Sequence, residues 1–244
     1  MNIFVKNAIN KCVDYIRENK IKSILYFILF YFIFTYLSLP NASIQKLSKG
    51  EITKTALMNQ RISESKIKNK RYQIKQKWVP LANISRHVIN ALIVAEDGKF
   101  FEHDGVDWYE IEESIEKNIK KGKTVRGGST ITQQLAKNLY LSTSKTPLRK
   151  IEELIITLRI EKILSKKRII EIYLNAIEFG NGIFGIEMAS RIYFKKSASA
   201  LSRSESIQLV SIIPSPLRHT PNDGSRFVSR RSFIINNRMV ARGW

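Results

Sequence analysis

Glu96 and Asp97 stand at the end of an apolar run, Val88 to Ala95, and Phe100, His103 and Gly105 follow them. A carboxylate approached by Ile93, Val94, Ala95 and the Phe100-Phe101 pair is partly desolvated, a setting that suits a general base. Acidic groups at a helix C-terminus also oppose the helix dipole, by ~0.3–1 kcal/mol. A chain that tolerates this cost has a use for the carboxylate, or it has an acidic turn with Gly98 as its stop. Local sequence leaves both open.

Gly127-Gly128-Ser129-Thr130 then leads into a second helix, Thr130 to Leu141. Thr130 and Gln133 fit a capping box. Free backbone N–H groups at such a start also form an anion site. Gln133 lies four residues from Lys137 and Gln134 lies three, so amide donors and an ammonium share one helical flank, with Asn138 beside them. That flank suits a phosphate or a sugar. Arg149, Lys150, Glu152 and Glu153 follow. An Arg149–Glu153 pair at i, i+4 would contribute a few tenths of a kcal/mol at a surface. The sharper reading has Lys145, Arg149 and Lys150 neutralise a diphosphate, with Glu153 as a second carboxylate. Spacing alone does not choose between Glu152 and Glu153.

Other motifs fail. Gly122-Lys-Thr124 lacks the earlier glycine of a phosphate-binding loop. Ser43, Ser63 and Ser142 each begin an S-x-x-K, yet no Lys-Thr-Gly or Ser-Asp-Asn follows. His87, His103 and His219 lack metal-ligand spacing. Cys12, the single cysteine, excludes an internal disulfide framework and a cysteine metal cage.

These residues must be held by a mainly α fold. Apolar periodicity places helices over 88–95, 130–141, 148–164, 168–177, 186–194 and 204–213. In the third of these the apolar stripe is Leu148, Ile151, Leu154, Ile155, Leu158 and Ile163. Gly180 and Gly182 read as a helix stop, and neither a hairpin series nor a βαβ alternation is evident. With 244 residues and 43% apolar content, the chain can bury a core in one catalytic domain. Its net charge of +20 calls for an anionic partner: nucleic acid, a membrane surface or a phosphorylated substrate.

The N-terminus favours the membrane. No charged residue occurs from Ser23 to Gln45, and a spanning helix needs roughly 17–25 apolar residues. Four segments follow: a cytoplasmic piece (1–22), a transmembrane helix (23–40), a basic connector or peripheral subdomain (41–80) and a catalytic domain (81–244). Lysines and arginines flank both sides of the span, so charge alone leaves orientation ambiguous. A short N-terminal piece before a large domain fits N-in, C-out. The basic connector can then bind anionic headgroups or serve as a solvated linker.

Taken together, the segments resemble the glycosyltransferase domain of peptidoglycan polymerases, glycosyltransferase family 51. The resemblance rests on five ordered stretches: Glu96-Asp97-x-x-Phe100-x-x-His103-x-Gly105; Gly128-Ser129-Thr130-x-x-Gln133-Gln134-x-x-Lys137-Asn138; Arg149-Lys150-x-x-Glu153; Arg168 to Asn175; and Gly182 to Phe194. Ser190 and Lys195 depart from the family's usual alanine and glycine, and Lys145 stands where arginine is frequent. The resemblance picks Glu153 over Glu152. It implies a lysozyme-like helical domain on an N-terminal transmembrane helix, single-pass in the bacterial cytoplasmic (inner) membrane with the domain outside. It implies polymerisation of lipid II into β-1,4 glycan strands with release of undecaprenyl diphosphate. Glu96 and Glu153 would be catalytic. Asp97, Phe100, His103, Ser129, Thr130, Gln133, Gln134, Lys137, Asn138, Lys145, Arg149 and Lys150 would bind substrate. No metal or cofactor is required, although a divalent cation, Mg or Mn, could assist the leaving group. The implied partners are lipid II, the nascent glycan, membrane phospholipids and other cell-wall synthesis or division proteins, not nucleic acid. The rival is a lytic transglycosylase or hydrolase acting on finished peptidoglycan, which has no diphosphate to neutralise.

Overall fold

The computed structural model describes residues 15, 18–38, 41–69, 71–121 and 128–244. The chain divides into two compact units, Met1–Pro40 and Asn41–Trp244. In the first, α1 (Lys20–Ser38) is apolar on every face, with Leu25, Phe27, Phe30, Phe34 and Leu37 all exposed. At 1.5 Å per residue it is about 28 Å long, against about 30 Å of hydrocarbon core, and Lys20 and Lys22 occupy its first turn. Among the described residues no helix is long and apolar enough to cross a membrane. Residues 39 and 40 of the expected span lie outside the described residues.

The second unit runs α2 (Asn41–Lys46), α3 (Ala56–Ile67), β1 (Lys75–Gln76), α4 (Arg86–Glu96), α5 (Trp108–Lys121), α6 (Ile131–Tyr140), α7 (Pro147–Ile163) and α8 (Lys166–Ala176). Then come β2 (Glu178–Gly180), β3 (Ile183–Phe184), α9 (Ile186–Phe194), α10 (Arg203–Ile212) and α11 (Arg226–Ala241). Hydroxyl caps set many of the starts. Thr55, Thr130, Thr146, Ser165, Ser202 and Ser225 each accept a backbone N–H from the first turn of the helix they precede. α4 packs on α10 and α11, while α6 packs on α3, α7 and α8. Their shared core includes Leu92, Ile131, Leu135, Ile156, Ile160, Ile169, Tyr173 and Leu209.

The structure departs from the sequence expectations in three places. First, the unit contains a small sheet of order β1-β3-β2, parallel between β1 and β3 and antiparallel between β3 and β2. Its strands are too short to leave an alternating pattern. The glycines expected to stop a helix build its turn: Gly182 has φ +74°, and a Cβ there would lie 2.3 Å from the Gln73 carbonyl oxygen.

Second, residues 41–80 are part of the domain. Ile44, Leu57 and Met58 are buried. Arg168 donates to the carbonyls of Leu47 (2.7 Å) and Gly50, and its guanidinium lies 5.2 Å from the Trp78 ring centroid. Third, the buried face of α7 is Glu153, Ile156, Thr157 and Ile160, whereas Leu148 and Leu158 of the expected stripe are exposed. Glu153 thus lies on the inward face of α7.

Candidate active site

Glu96 ends α4, and its side chain is only 11% exposed. Both of its oxygens are held. Oε1 accepts from an Arg231 nitrogen at 3.0 Å, and Oε2 accepts from Nε2 of Gln134 at 2.9 Å. Arg231 lies on α11 and also donates from Nε to the Ser211 carbonyl at 3.0 Å. The cost of an acid at a helix C-terminus is thus met by a guanidinium on another helix. The sequence reading did not single out Arg231. It lies outside all five stretches, in a helix rich in arginines, and only the packing of α11 on α4 selects it.

Asp97 has partners of its own. Its Oδ2 accepts the backbone N–H of Ile131 at 3.0 Å, at the first residue of α6. Its Oδ1 lies 2.9 Å from Nε2 of His103. The Gly105 N–H donates to His103 Nδ1 at 3.0 Å, which leaves Nε2 to carry the proton given to Asp97. Thr130 and Gln133 close their capping box, and the Thr130 hydroxyl donates to the Gly105 carbonyl at 2.7 Å. Thr130 and Gln133 are each only 3% exposed. The anion at this helix start is therefore the chain's own Asp97. Phe100 is fully buried, under the Lys166 ammonium at 4.5 Å. These residues fasten the end of α4 to the start of α6. Gly127 and the glycine hinge's approach, 122–127, lie outside the described residues.

The second carboxylate, Glu153, is 3% exposed and paired with Arg149 (2.5 Å) and with Lys150. Lys150 also donates to the Ser129 hydroxyl at 3.3 Å. The i, i+4 pair expected at a surface is therefore a buried carboxylate bridged by two cations. Such a pair offsets desolvation only when the geometry is good. Lys145 is exposed on the segment before α7, and Asn138 is half-buried on α6.

Lys137 lies close enough to both carboxylates to be affected by their charge. Among the described residues its ammonium makes no ion pair or hydrogen bond, yet it feels Glu153 and Glu96 together with Arg149 and Lys150. Burial, the largest influence, lowers its proton affinity; Arg149 and Lys150 lower it further, while Glu153 and Glu96 raise it. The site therefore offers a desolvated cation between a carboxylate held by neutral and cationic donors and a carboxylate already neutralised.

The same residues do not build a metal cage. Among the described residues no three His, Cys, Asp or Glu side chains gather as ligands. Asp97 is taken by Ile131 and His103, and Glu153 by Arg149 and Lys150.

The family model described as Transglycosylase matches residues 63–240. Among curated relatives, the biosynthetic peptidoglycan transglycosylase of Chromobacterium violaceum is 47% identical over 186 residues, covering 76% of this chain and 82% of the relative. The protein of the same name from Dechloromonas aromatica is 48% identical over 187 residues, covering 77% and 81%. That from Nitrosospira multiformis is 46% identical over 187 residues, covering 77% and 81%. The matched stretch contains α4, α6, α7 and every side chain just placed around Glu96 and Glu153. The chain belongs to the transglycosylase family.

Proposed function

We infer that this chain is a peptidoglycan glycosyltransferase that polymerises lipid II into β-1,4 glycan strands for the bacterial cell wall. The carrying observation is Lys137, a half-buried ammonium without a bonded partner among the described residues, influenced by both Glu96 and Glu153. In a polymerising step the acceptor's C4 hydroxyl attacks C1 of the donor MurNAc. Glu96 takes the hydroxyl proton, the bond from C1 to the diphosphate oxygen breaks, and configuration at C1 inverts. Charge grows on the departing undecaprenyl diphosphate, and preoriented cations stabilise it where it develops. Lys137 takes that task in this reading, with Arg149 and Lys150 close enough to affect its charge, and Lys145 is a further candidate cation. Glu153 holds Arg149 and Lys150 in place. A hydrolase would have no use for this cationic group. A divalent cation, Mg or Mn, is a further candidate for assisting the leaving group.

A lipid-linked substrate calls for a membrane location. The reading is a single-pass anchor at the cytoplasmic membrane, N-terminus inside and catalytic unit outside. It is supported by the uncharged run Ser23 to Gln45 and by the exposed apolar side chains of α1. Phospholipids and the nascent strand are then neighbours, and other cell-wall synthesis or division proteins are candidate partners. Incubation of detergent-solubilised protein with labelled lipid II is the test. Long glycan polymer is the expected product. Recovery of only hydrolysed lipid II, or release of muropeptides from finished peptidoglycan, would overturn the reading.

A further inference from the structure

Glu96 is oriented by two hydrogen bonds, and one of them depends on an amide that can point either way. The oxygen and nitrogen of a glutamine carboxamide have nearly the same shape, so its hydrogen-bonding partners decide which faces which neighbour. Gln134 offers Nε2 to Glu96 Oε2 at 2.9 Å. Turned over, it would place a carbonyl oxygen against a carboxylate oxygen. We propose that Tyr173 is a positioning residue: its hydroxyl holds the Gln134 amide at the place from which Gln134 donates to the base.

Tyr173 lies on α8, and its hydroxyl donates to Gln134 Oε1 at 2.8 Å. The side chain is fully buried, out of contact with bulk solvent. Burial, helped by the nearby Glu96 and Asp97 charges, pushes the phenol well above its usual value of 10.0. It therefore remains a donor at any working pH. The Glu96 carboxylate only accepts, so the amide N–H faces it and the amide oxygen faces Tyr173, whose hydroxyl donates there and fixes the amide's position. The relay Tyr173 to Gln134 to Glu96 runs from α8 through α6 to α4. Arg231 holds the other carboxylate oxygen independently. Tyr173 does not reach the reacting atoms and acts only through Gln134.

The inference rests on the polymerase reading, and the test separates the two. Full-length protein in detergent is assayed with lipid II, and kcat and KM are measured for Tyr173→Phe, Gln134→Ala and the double variant. Tyr173→Phe is expected to lower kcat about tenfold at nearly constant KM, the scale of a small misplacement of a reacting group. In the Gln134→Ala background the same change should alter kcat by less than about twofold, because the coupling partner is gone. 4-Aminophenylalanine at position 173 fills the same space and retains a donor. It should restore kcat to within about threefold of wild type, and it also serves if the phenylalanine variant folds poorly. Wild-type kcat in Tyr173→Phe, an equal loss in the Gln134→Ala background, or no rescue by the amine would each overturn the proposal. A wild-type protein that makes no polymer would instead fail the polymerase reading.

Discussion

Lys137 gives its proton up more easily in the fold than in the unfolded chain. Between its lowered value and the ordinary 10.5, the unfolded state binds more protons, so the fold gains stability as pH rises through that window. Catalysis runs the other way, since the ammonium that stabilises the diphosphate disappears in the same window. The alkaline limb of kcat/KM, which reports the free enzyme, should therefore lie below 10.5. Lys137→Arg keeps its charge at high pH and should move that limb upward; coincident limbs would remove Lys137 from the step. Lys137→Ala should lower kcat with the fold intact by circular dichroism, and an unchanged kcat would show that the diphosphate leaves without its help. Glu96→Gln should reduce polymerisation by ~10²–10⁴-fold, and near-normal synthesis by a folded variant would remove Glu96 as the base. Helix-end position marks Glu96 as a candidate and i, i+3 and i, i+4 spacing marks Lys137, whereas Glu153 is chosen over Glu152 only by the family resemblance. Arg231 was not legible in the sequence, since nothing local distinguishes it from Arg226 or Arg230 on the same helix.

At the scale of elements, the decisive joint is between the end of α4 and the start of α6. Asp97 carries it, by accepting from Ile131 N–H and from His103. Asp97→Asn preserves the shape but turns one acceptor into a donor facing a donor. The expected loss is roughly 1–3 kcal/mol, and a protein of this size loses about 2–4 °C of Tm per kcal/mol. Calorimetry should show the drop; an unchanged Tm would mean that α6 is held by its cap alone. That cap was readable from Thr130 and Gln133, as were most helix starts. The face of α7 was not. Its leucines and isoleucines mark a stripe that solvent partly covers, because the inward position is taken by a carboxylate and its cations. The hairpin at Gly182 escaped as well, since a two-residue strand has no period to detect.

At the scale of the whole molecule, the proposed membrane anchor is open to a direct test. Arginine at the centre of a span costs ~2.5–3.5 kcal/mol on insertion scales. Leu29→Arg with Ile33→Arg in the full chain should therefore move the protein from the carbonate-resistant membrane pellet to the soluble fraction. Retention in the pellet would mean that α1 is not the anchor. The basic composition of 41–80 suggested a connector or a peripheral subdomain, and its residues show little apolar periodicity. Yet the compact unit begins at Asn41, with Ile44, Leu57 and Met58 inside it and Arg168 grasping the backbone at Leu47 and Gly50. A chimaera that borrows a foreign membrane anchor must therefore be spliced ahead of Asn41. A junction at residue 81, where the composition changes, would strip away part of the hydrophobic interior and leave the Arg168 guanidinium without its two carbonyl acceptors.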